Sequence, residues 1–372
     1  MSSKYFLGQA GNYRAKDVIR HTFAFASKKW SNMLRQYFAK YYGVSKNQVF
    51  LMNNGRSALA AALRTFVPEG SEVIINGFTC YAVLQAVEKA GCKVAYADID
   101  RRTLNFSPKT LEDAIKRHKK AKALIIQNTL GICVDMAKIE KLAKEHHLVI
   151  IEDLAHCAGF RYPDGRKVGS CGAAAALSFG KGKSLDSITG GALILNESAK
   201  NPVRFGYQKP KLSDSLRARF YPLLASIGRL VSKIHLQKYW YGPLIRMHAI
   251  ERAVDAKLSF SRRPAHWQSK LILKQLLNIE ENGAKPIRTF RLVNDRAKVL
   301  EELERAGYNF REVWYDVPVS PVRYYNKVNF DEAACPVATE IAAHIVNIPT
   351  YYPAAELNHA IRIIEKDEYA KN

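Results

Sequence analysis

The chain has 372 residues, of which 48% are hydrophobic and 24% charged, a composition typical of a folded globular protein and not of a disordered one. Its net charge of +23 is unusual, so nucleic acid, an anionic membrane surface and a phosphorylated ligand must all be considered as partners. The six cysteines show no C-x-x-C spacing, which indicates neither a zinc site nor a disulfide framework.

The N-terminal sequence MSSKYFLGQAGNYRAKD lacks a basic region followed by an apolar core, so we expect no secretory signal. No run approaches the roughly 20 apolar residues that are needed to span a bilayer. Together with the scattered cysteines, these patterns predict a cytoplasmic protein.

The first half of the chain alternates strand and helix patterns in the manner of a doubly wound α/β domain. The run VFLMNN followed by GRSALAAALR predicts a strand, a turn and a helix. Further strands are predicted at residues 71–77, 92–100, 123–128 and 148–155, and further helices at 81–91, 107–118 and 136–147. Ligands of such sheets bind beyond the carboxyl ends of the strands, where Asn128 and Asp153 are placed.

The segment from residue 204 to residue 258 changes to a helical, basic and aromatic composition. Between Arg204 and Arg263 there are thirteen Lys and Arg residues against three Asp and Glu, a net charge of +10. Three interpretations stay open: a helical pair that packs its apolar side on the core, a peripheral membrane surface, and a site for an anionic substrate or partner.

The end of the chain alternates helix and strand patterns again. A helix after Trp267, the strand-like run IRTFRLV and a helix that ends at Gly307 predict a second, smaller α/β unit. The predicted organisation is therefore a large domain at 1–203, a basic aromatic helical segment at 204–263, called the insert below, and a small C-terminal domain at 264–372.

Three features together supply what pyridoxal phosphate requires, namely a lysine amine for its Schiff base, an acid on its ring nitrogen and anion donors for its phosphate. The turn NNGRSAL enters a helix, whose N-terminal N–H groups bind phosphate. Asp153 ends a buried strand, and Lys183 lies in the stretch SFGKGKSLDSITGGALI with Ser178. Each feature alone also has a structural explanation, as an ordinary βα turn, an ion pair or a solvated loop lysine.

The run EDLAHCAG…GRKVGSCGAAAALSFGKGKSLDSITGGALIL resembles the pyridoxal-phosphate-dependent sugar aminotransferases called the DegT/DnrJ/StrS family. That family has Glu-Asp-x-Ala-His, then a Gly before a small-residue strand, Ser-Phe-x-x-x-Lys and a later Gly-Gly. Ser178, Phe179, Lys183 and the pair Gly190–Gly191 have those spacings. The resemblance continues through GRSAL, GFTCYAVLQAVEKAG, WQSKLILKQL and CPVATEIAAHIVNIPT, and it covers most of the chain apart from the insert.

The resemblance implies fold type I of the pyridoxal-phosphate-dependent transferases, an α/β fold. Its large domain has a mostly parallel seven-stranded sheet flanked by helices, and a smaller C-terminal α/β domain follows.

The resemblance also implies three catalytic side chains. Lys183 forms the Schiff base and moves the proton, Asp153 holds the pyridine nitrogen protonated, and His156 lies near the phenolic oxygen of the ring. The implied cofactor-binding residues are Gly55, Arg56, Ser57, Cys80, Asn128, Asp153, His156, Ser178 and Lys183. We interpret Lys181 as a solvated loop charge, we expect the Gly190–Gly191 pair to let its strand pass close to the cofactor, and no metal site is indicated.

Some positions depart from the pattern. Cys80 stands where many members stack an aromatic residue on the pyridine ring, and Tyr81 points differently in an extended segment, so the stacking partner is open. Ser261 stands where the partner subunit usually donates an asparagine, although Arg263 matches the arginine that follows. By analogy alone, Tyr315, Tyr324 and Tyr325 are placed near the substrate.

A minority of this family dehydrate sugars and have a histidine in place of the lysine, so Lys183 favours transamination. The resemblance implies a homodimer that transfers an amino group, with glutamate expected as the donor, to a nucleotide-linked keto sugar for amino-sugar and surface-glycan synthesis. One alternative is a non-catalytic or regulatory member that binds an anionic partner, membrane or nucleic acid, through the insert. No helix-turn-helix or zinc-finger pattern favours nucleic acid. Another is a desulfurase acting through Cys80, Cys157 or Cys171.

Overall fold

The structure, a computed structural model, describes residues 5–6, 13, 15–199, 204–232, 236–247, 250 and 255–369. Most of the N-terminal stretch used for the signal prediction, and residues 233–235, 248–249 and 251–254 of the insert, lie outside the described residues. The strands are β1 (Tyr5–Phe6), β2 (Val49–Met52), β3 (Glu72–Asn76), β4 (Thr79–Cys80), β5 (Lys93–Ala97), β6 (Ala121–Ile126), β7 (Val149–Asp153), β8 (Ala174–Ser178), β9 (Gly191–Leu195), β10 (Arg288–Leu292), β11 (Tyr308–Asn309), β12 (Val319–Ser320) and β13 (Ile345–Pro349). The helices are α1 (Ala15–Thr22), α2 (Lys28–Tyr42), α3 (Gly55–Phe66), α4 (Tyr81–Lys89), α5 (Pro108–Arg117), α6 (Met136–Glu145), α7 (Leu212–Ser232), α8 (Gln237–Arg246), α9 (His266–Asn282), α10 (Arg296–Arg305), α11 (Pro336–His344) and α12 (Ala354–Glu365).

The predicted seven-stranded sheet is present, with the strand order β2-β9-β8-β7-β6-β3-β5. Its strands run parallel except β9, which is antiparallel to both β2 and β8. Neighbouring residues of one strand belong to cores on opposite faces, as Ile150 and Ile151 of β7 show. Because helices cover both faces, the strands are apolar throughout, and this explains the unbroken runs in the sequence.

Helix α3 begins directly after β2 and aims its N-terminus at the carboxyl ends of the strands. The side chain of Asn54 accepts a hydrogen bond from the N–H of Ser57 at 2.8 Å and caps the helix. Its side chains from 56 to 63 are all buried, and most are alanine or leucine. Small side chains let this helix lie close against β8 and β9, so its first turn comes up against Ser178.

Strand β7 carries two adjacent carboxylates with different environments. Glu152 is fully buried and accepts hydrogen bonds from Tyr162 Oη at 2.6 Å and from the N–H groups of Gly169, Cys171 and Gly172 at 2.6 to 2.7 Å. Four donors therefore satisfy one carboxylate, which anchors the 169–172 loop. Because side chains alternate along a strand, Asp153 faces the other way.

We expect Glu152→Gln to lower the free energy of unfolding by about 2 to 4 kcal/mol, because several hydrogen bonds to a buried charge are lost and the amide would present donors to N–H groups. Urea unfolding followed by circular dichroism measures it. Glu140→Gln is the matched control, since Glu140 is a partly exposed surface partner of Arg166 and the loss of such an ion pair costs about 1 kcal/mol or less. Equal midpoints for the two variants would contradict the structural role of Glu152.

The described part of the insert forms two helices that pack against the body of the protein. Helix α7 contacts both α1 and α8, and its buried side chains Ala218, Tyr221 and Ala225 join Trp267 in one apolar cluster. The Arg219 guanidinium donates to the carbonyl groups at the end of α1. The interpretation as a helical pair with one packed face therefore describes this side of α7, although the opposite side is exposed and apolar.

The last third of the chain contributes to several cores. Helix α9 packs on α2 and joins the core on one face of the sheet, and α11 joins the core on the other face. Helices α10 and α12 and strand β13 build a separate core around Phe310 and Val346. The predicted domain limits stay a prediction. In the described part of the chain, no helix combines the length and apolarity required to cross a membrane.

Candidate active site

A cavity of about 1410 Å³ opens at the carboxyl ends of the parallel strands, where α/β sheets bind their ligands. It brings together seven of the nine predicted cofactor-binding residues: Gly55, Arg56, Cys80, Asp153, His156, Ser178 and Lys183. These residues come from four separate stretches of sequence, so the fold converges them on one site.

Two predicted residues, Ser57 and Asn128, do not line this cavity. The hydroxyl of Ser57 accepts the N–H of Ser259 at 2.9 Å. Asn128 has a left-handed backbone with φ 50°, and its side chain donates to Tyr162 at 3.3 Å and accepts the N–H of Val134 at 3.0 Å. Both residues therefore hold the surrounding loops in place.

Gln127 lines the cavity in place of Asn128, and the sequence patterns did not predict it as a site residue. Its amide donates to Thr129 Oγ1 at 2.9 Å and to the carbonyl of Phe78 at 3.2 Å. The signal was present, because Gln127 and Asn128 both follow β6 and only one of two adjacent residues faces a given side.

Lys183 and His156 form the central pair of the cavity. Lys183 Nζ lies 3.0 Å from His156 Nε2, and His156 Nδ1 accepts the N–H of Leu130 at 3.2 Å. An acceptor at Nδ1 places the imidazole proton on Nε2, so this nitrogen donates to Nζ. Nζ can accept only as a neutral amine, and a neutral amine is the nucleophilic form of lysine.

The ionisation of these groups agrees with that assignment. Burial, with Lys183 and Arg288 nearby, lowers the pKa of His156 well below its usual range. Burial also lowers the pKa of Lys183, against the opposing charges of Cys80 and Asp153. For Asp153, burial raises the pKa, while the N–H of Ala155 and the nearby Lys183 act in the opposite direction. A cationic ring nitrogen beside Asp153 would favour its charged form.

Lys183 should react with pyridoxal phosphate at a lower pH than an ordinary lysine does. Its amine loses the proton as the pH rises through its pKa, which lies below the usual 10.5. The rate of the visible band's growth should therefore rise with pH and level off below 10.5. Stopped-flow measurement from about pH 6 to 10 tests this, with Nα-acetyl-lysine as control. If the rate for the protein depends on pH in the same way as the rate for Nα-acetyl-lysine, the prediction is contradicted.

Trp314 stacks beside the pair and was not anticipated. Its indole lies 5.0 Å from the His156 ring with 13° between the planes, and Lys183 Nζ lies 4.7 Å from its centroid. The buried Arg288 guanidinium lies 3.8 Å from the same ring and donates to Glu312. Trp314 therefore brings the C-terminal part of the chain into contact with Lys183 and His156.

The tyrosines placed near the substrate by analogy separate in the structure. Tyr315 lines the cavity and stacks on Phe78 with 4.6 Å between centroids. Tyr324 instead stacks on Tyr81 at 4.8 Å, and Tyr325 donates to a glutamate at 2.8 Å. Because the ring of Tyr81 lies against Tyr324, Tyr81 is not placed to stack on a pyridine ring in the cavity. Cys80 lines the cavity at the position where many family members have the stacking residue.

Two interpretations of the stretch around Lys183 need correction. Lys181 is not solvated: it is only 7% exposed, and Nζ lies 4.4 Å from the centroid of Tyr221. The Gly190–Gly191 pair does not line the cavity. A Cβ on Gly191 would lie 2.6 Å from Leu177 O and 2.8 Å from Asn54 C, so the small residues let β9 pass close to β8 and to the turn before α3.

The residues present fit pyridoxal phosphate. A Cβ on Gly55 would lie 2.6 Å from the Cβ of Ser178, so the first turn of α3 and the serine hydroxyl form a tight cradle at a helix N-terminus, which suits a phosphate. The Arg56 guanidinium donates to the carbonyl of Ala256 at 2.6 Å and to Gln85. Asp153 suits a ring nitrogen and Lys183 a carbonyl carbon.

Among the described residues, no group of three His, Cys, Asp or Glu side chains could hold a metal ion. The six cysteines are free thiols. Of the three considered for a desulfurase, only Cys80 lines the cavity. Burial raises the pKa of Cys157 well above its usual range and that of Cys171 to about 12, so neither is primed as a thiolate.

Residues 11–204 match the model of the DegT/DnrJ/EryC1/StrS aminotransferase family, more than half of the chain. The chain belongs to this family. Membership confirms the resemblance and supports the prediction of pyridoxal 5′-phosphate, and of a pyridoxal-phosphate-dependent transaminase, for this family member.

Similar proteins agree with the family assignment. The chain is 26% identical to a GDP-perosamine synthase of Caulobacter vibrioides over 84% of this chain and 83% of that protein. It is 38% identical to a pleiotropic regulatory protein of Geobacillus stearothermophilus over 38% of each chain. The chain spans about two fifths of the length of several curated relatives that it matches.

Solved structures confirm the predicted fold type I of this family member. A protein described as a sugar aminotransferase of Streptococcus pneumoniae, in its PLP form, superposes with a TM-score of 0.65 over 95% of this chain and 97% of that one, at 17% identity. At that identity the likeness establishes the architecture, and the chemistry has to be argued from the site itself.

Proposed function

We propose that this protein is a pyridoxal-phosphate-dependent aminotransferase that transfers an amino group from glutamate to a keto sugar carried on a nucleotide diphosphate. The observation that carries the proposal is the half-buried Lys183, whose amine has a lowered pKa and shares one cavity with Asp153. Relatives named GDP-perosamine synthase and UDP-2-acetamido-2-deoxy-3-oxo-D-glucuronate aminotransferase support this substrate class.

When bound, pyridoxal phosphate supplies an electrophilic carbonyl and an electron-withdrawing ring. Lys183 would provide the nucleophilic amine for that carbonyl and would act as the base and acid that moves the substrate's Cα proton. Asp153 keeps a proton on the ring nitrogen. His156 orients Nζ through its Nε2–H, and Trp314 stacks on the imidazole ring of His156.

Titration of the holoprotein with amino donors tests the proposal. We expect a visible band after addition of pyridoxal phosphate, its loss with glutamate, and its return with a nucleotide-linked keto sugar. Glutamine is tested beside glutamate as an alternative amino donor, because one relative is named an L-glutamine:2-deoxy-scyllo-inosose aminotransferase. A protein that stays colourless at saturating cofactor would refute the activity and leave the non-catalytic alternative, in which the insert binds an anionic partner.

We further propose that the protein is cytoplasmic and that the insert rests on the anionic inner face of a membrane. Five apolar side chains of α7, between 38% and 74% exposed, recur at helical spacing and form one stripe: Leu212, Leu216, Phe220, Leu223 and Leu230. Phe23 and Phe25, just after the contacting helix α1, are also exposed. The exposed Arg246 of α8 belongs to the same insert, which is strongly basic. Apolar and basic side chains together suit an anionic lipid surface.

Vesicle flotation tests the membrane contact. We expect binding to vesicles containing phosphatidylglycerol and weaker binding to phosphatidylcholine alone, with loss of binding at high salt or in the Leu216→Ser/Leu230→Ser variant. Leu277→Ser is the matched control, since Leu277 is 51% exposed on α9. A stripe covered by a second copy of the chain would instead give a dimer that the double variant dissociates, without vesicle binding. Homodimerisation itself stays a proposal from the family resemblance.

A further inference from the structure

The loop that carries Lys183 also contains a carboxylate that receives three hydrogen bonds. Asp186 Oδ2 accepts the N–H of Gly182 at 2.8 Å and the hydroxyl of Tyr13 at 2.9 Å. Its Oδ1 accepts the N–H of Ile188 at 2.8 Å. The same carboxylate therefore forms a bridge across the loop, from the residue before the lysine to a residue beyond it.

Both bridged N–H groups belong to residues with a left-handed backbone. Gly182 has φ 68°, which costs a glycine little, but Ile188 has φ 73°, which is rare for a β-branched residue. Such a conformation persists only where its surroundings impose it. Because Lys183 directly follows Gly182, any rotation about the Gly182 backbone re-aims the lysine side chain. Asp186 therefore holds the backbone conformation on which the direction of Nζ depends.

Asp186 is itself fixed from two sides. Its N–H donates to Gln275 Oε1 at 2.8 Å and its carbonyl accepts Gln275 Nε2 at 2.7 Å, so helix α9 holds its main chain. Tyr13, only 3% exposed, packs in the same apolar cluster as Ile188 and Tyr221. Its ring lies edge-on to that of Tyr221, with 6.0 Å between the centroids. Helix α9 thus fixes the main chain of Asp186, while a residue packed against the insert orients its carboxylate.

The three donors around this side chain explain why it is a carboxylate. Both carboxylate oxygens are acceptors only, so they receive two N–H groups and a hydroxyl at once. An amide of nearly the same shape has one acceptor oxygen, and its NH₂ group would face either Ile188 or the pair Gly182 and Tyr13. Asp186→Asn would therefore release one of the two left-handed residues.

We propose that Asp186 is a positioning residue for Lys183. By bridging residues on both sides of the lysine, its carboxylate aims Nζ at His156 Nε2, 3.0 Å away. This deepens the proposed function and rests on it, because it takes Lys183 as the reacting amine. Asp186 does not line the cavity, so it acts through the lysine and not on a bound substrate or cofactor.

Trace acetylation of the full chain with acetic anhydride tests this assignment without the cofactor. Acetylation requires the neutral amine, so the yield at Lys183 against pH, measured by peptide mass spectrometry from about pH 6 to 11, reports the pKa of that amine. The exposed Lys209 is the internal reference. The rate at which the visible band forms with pyridoxal phosphate is measured separately for each variant.

We expect Asp186→Asn to move the pH midpoint of Lys183 acetylation upward, toward that of Lys209. An amine that turns from His156 Nε2–H toward water loses the donor to its neutral form and part of its desolvation, and both losses raise its pKa. At neutral pH the visible band should form at least about tenfold more slowly, as for the loss of one charge-assisted hydrogen bond. The other groups that face Nζ are the same in both proteins: Cys80, Asp153 and Arg288.

Glu152→Gln is the matched control. It also replaces by an amide a carboxylate that accepts backbone N–H groups, but on the side of β7 away from Asp153. It should lower the free energy of unfolding and leave both the midpoint of Lys183 and the rate of band formation unchanged. Tyr13→Phe removes one donor and keeps both N–H bonds, so we expect an upward shift smaller than that of Asp186→Asn.

Equal midpoints for the wild type and Asp186→Asn would overturn the assignment. An equal shift in Glu152→Gln would overturn it too, because loss of stability would then explain both results. If Asp186→Asn does not fold, Tyr13→Phe decides: an upward shift supports the positioning role and an unchanged midpoint refutes it. If the wild type forms no visible band but the midpoint still shifts in Asp186→Asn, the aminotransferase is refuted and the positioning of Lys183 is supported.

Discussion

Replacement of Lys183 by alanine should abolish the visible band with pyridoxal phosphate and lower the rate of amino transfer by at least about 10⁴-fold. Two functions are lost together, since the same Nζ is the nucleophile and the group that moves the proton. The absorbance spectrum measures the first loss, and a single-turnover assay with glutamate measures the second.

The Lys183→Ala result needs a control for folding. Lys209→Ala removes an exposed lysine outside the cavity and should leave both readouts unchanged. Circular dichroism should show the same spectrum for both variants. A visible band that survives in Lys183→Ala would mean that another amine reacts with the cofactor, with Lys181 as the nearest candidate in sequence.

Asp153→Asn should keep the visible band, because Lys183 remains, but should lower the rate of amino transfer about 10²- to 10³-fold, as for the loss of one preorganised electrostatic partner. An amide has nearly the shape of the carboxylate but no charge to hold a proton on the ring nitrogen. Cofactor binding should also weaken, by about tenfold, since charge-assisted hydrogen bonds are worth more than neutral ones.

Separate measurement of cofactor affinity and of the rate at saturating cofactor distinguishes the two effects of Asp153→Asn. Asp113→Asn, at an exposed position of α5, should change neither. If the rate of amino transfer by Asp153→Asn at saturating cofactor is within about twofold of the wild-type rate, Asp153 does not keep the ring nitrogen protonated.

The sequence predicted the sheet, its helices and the main residues of the site because these depend on local patterns. Buried apolar runs identified β6 and β7, and the turn NNGRSAL indicated the start of α3. Asp153 and Lys183 were predicted as site residues because their spacing follows a family pattern. The Gly191 contact needed atomic distances, because a pattern shows that a glycine is required without showing which neighbour requires it.

The residues that were missed or misread depend on contacts between distant parts of the chain. Trp314 reaches Lys183 from 131 positions further along the sequence, and no periodicity reports that approach. Lys181 is buried because Tyr221 of the insert lies across it. The insert was interpreted mainly from its net charge. Charge alone could not show that one side of α7 lines the cavity while the other side is an exposed apolar stripe.

The position of Trp314 also determines how this protein can be observed. Only four tryptophans occur in the chain, and this one lies against His156 and Arg288 within 5 Å of Lys183 Nζ. A chromophore attached to that amine would accept excitation energy from the indole. We therefore expect the intrinsic fluorescence of the protein to fall when the cofactor binds, and we expect Trp314→Phe to reduce this response.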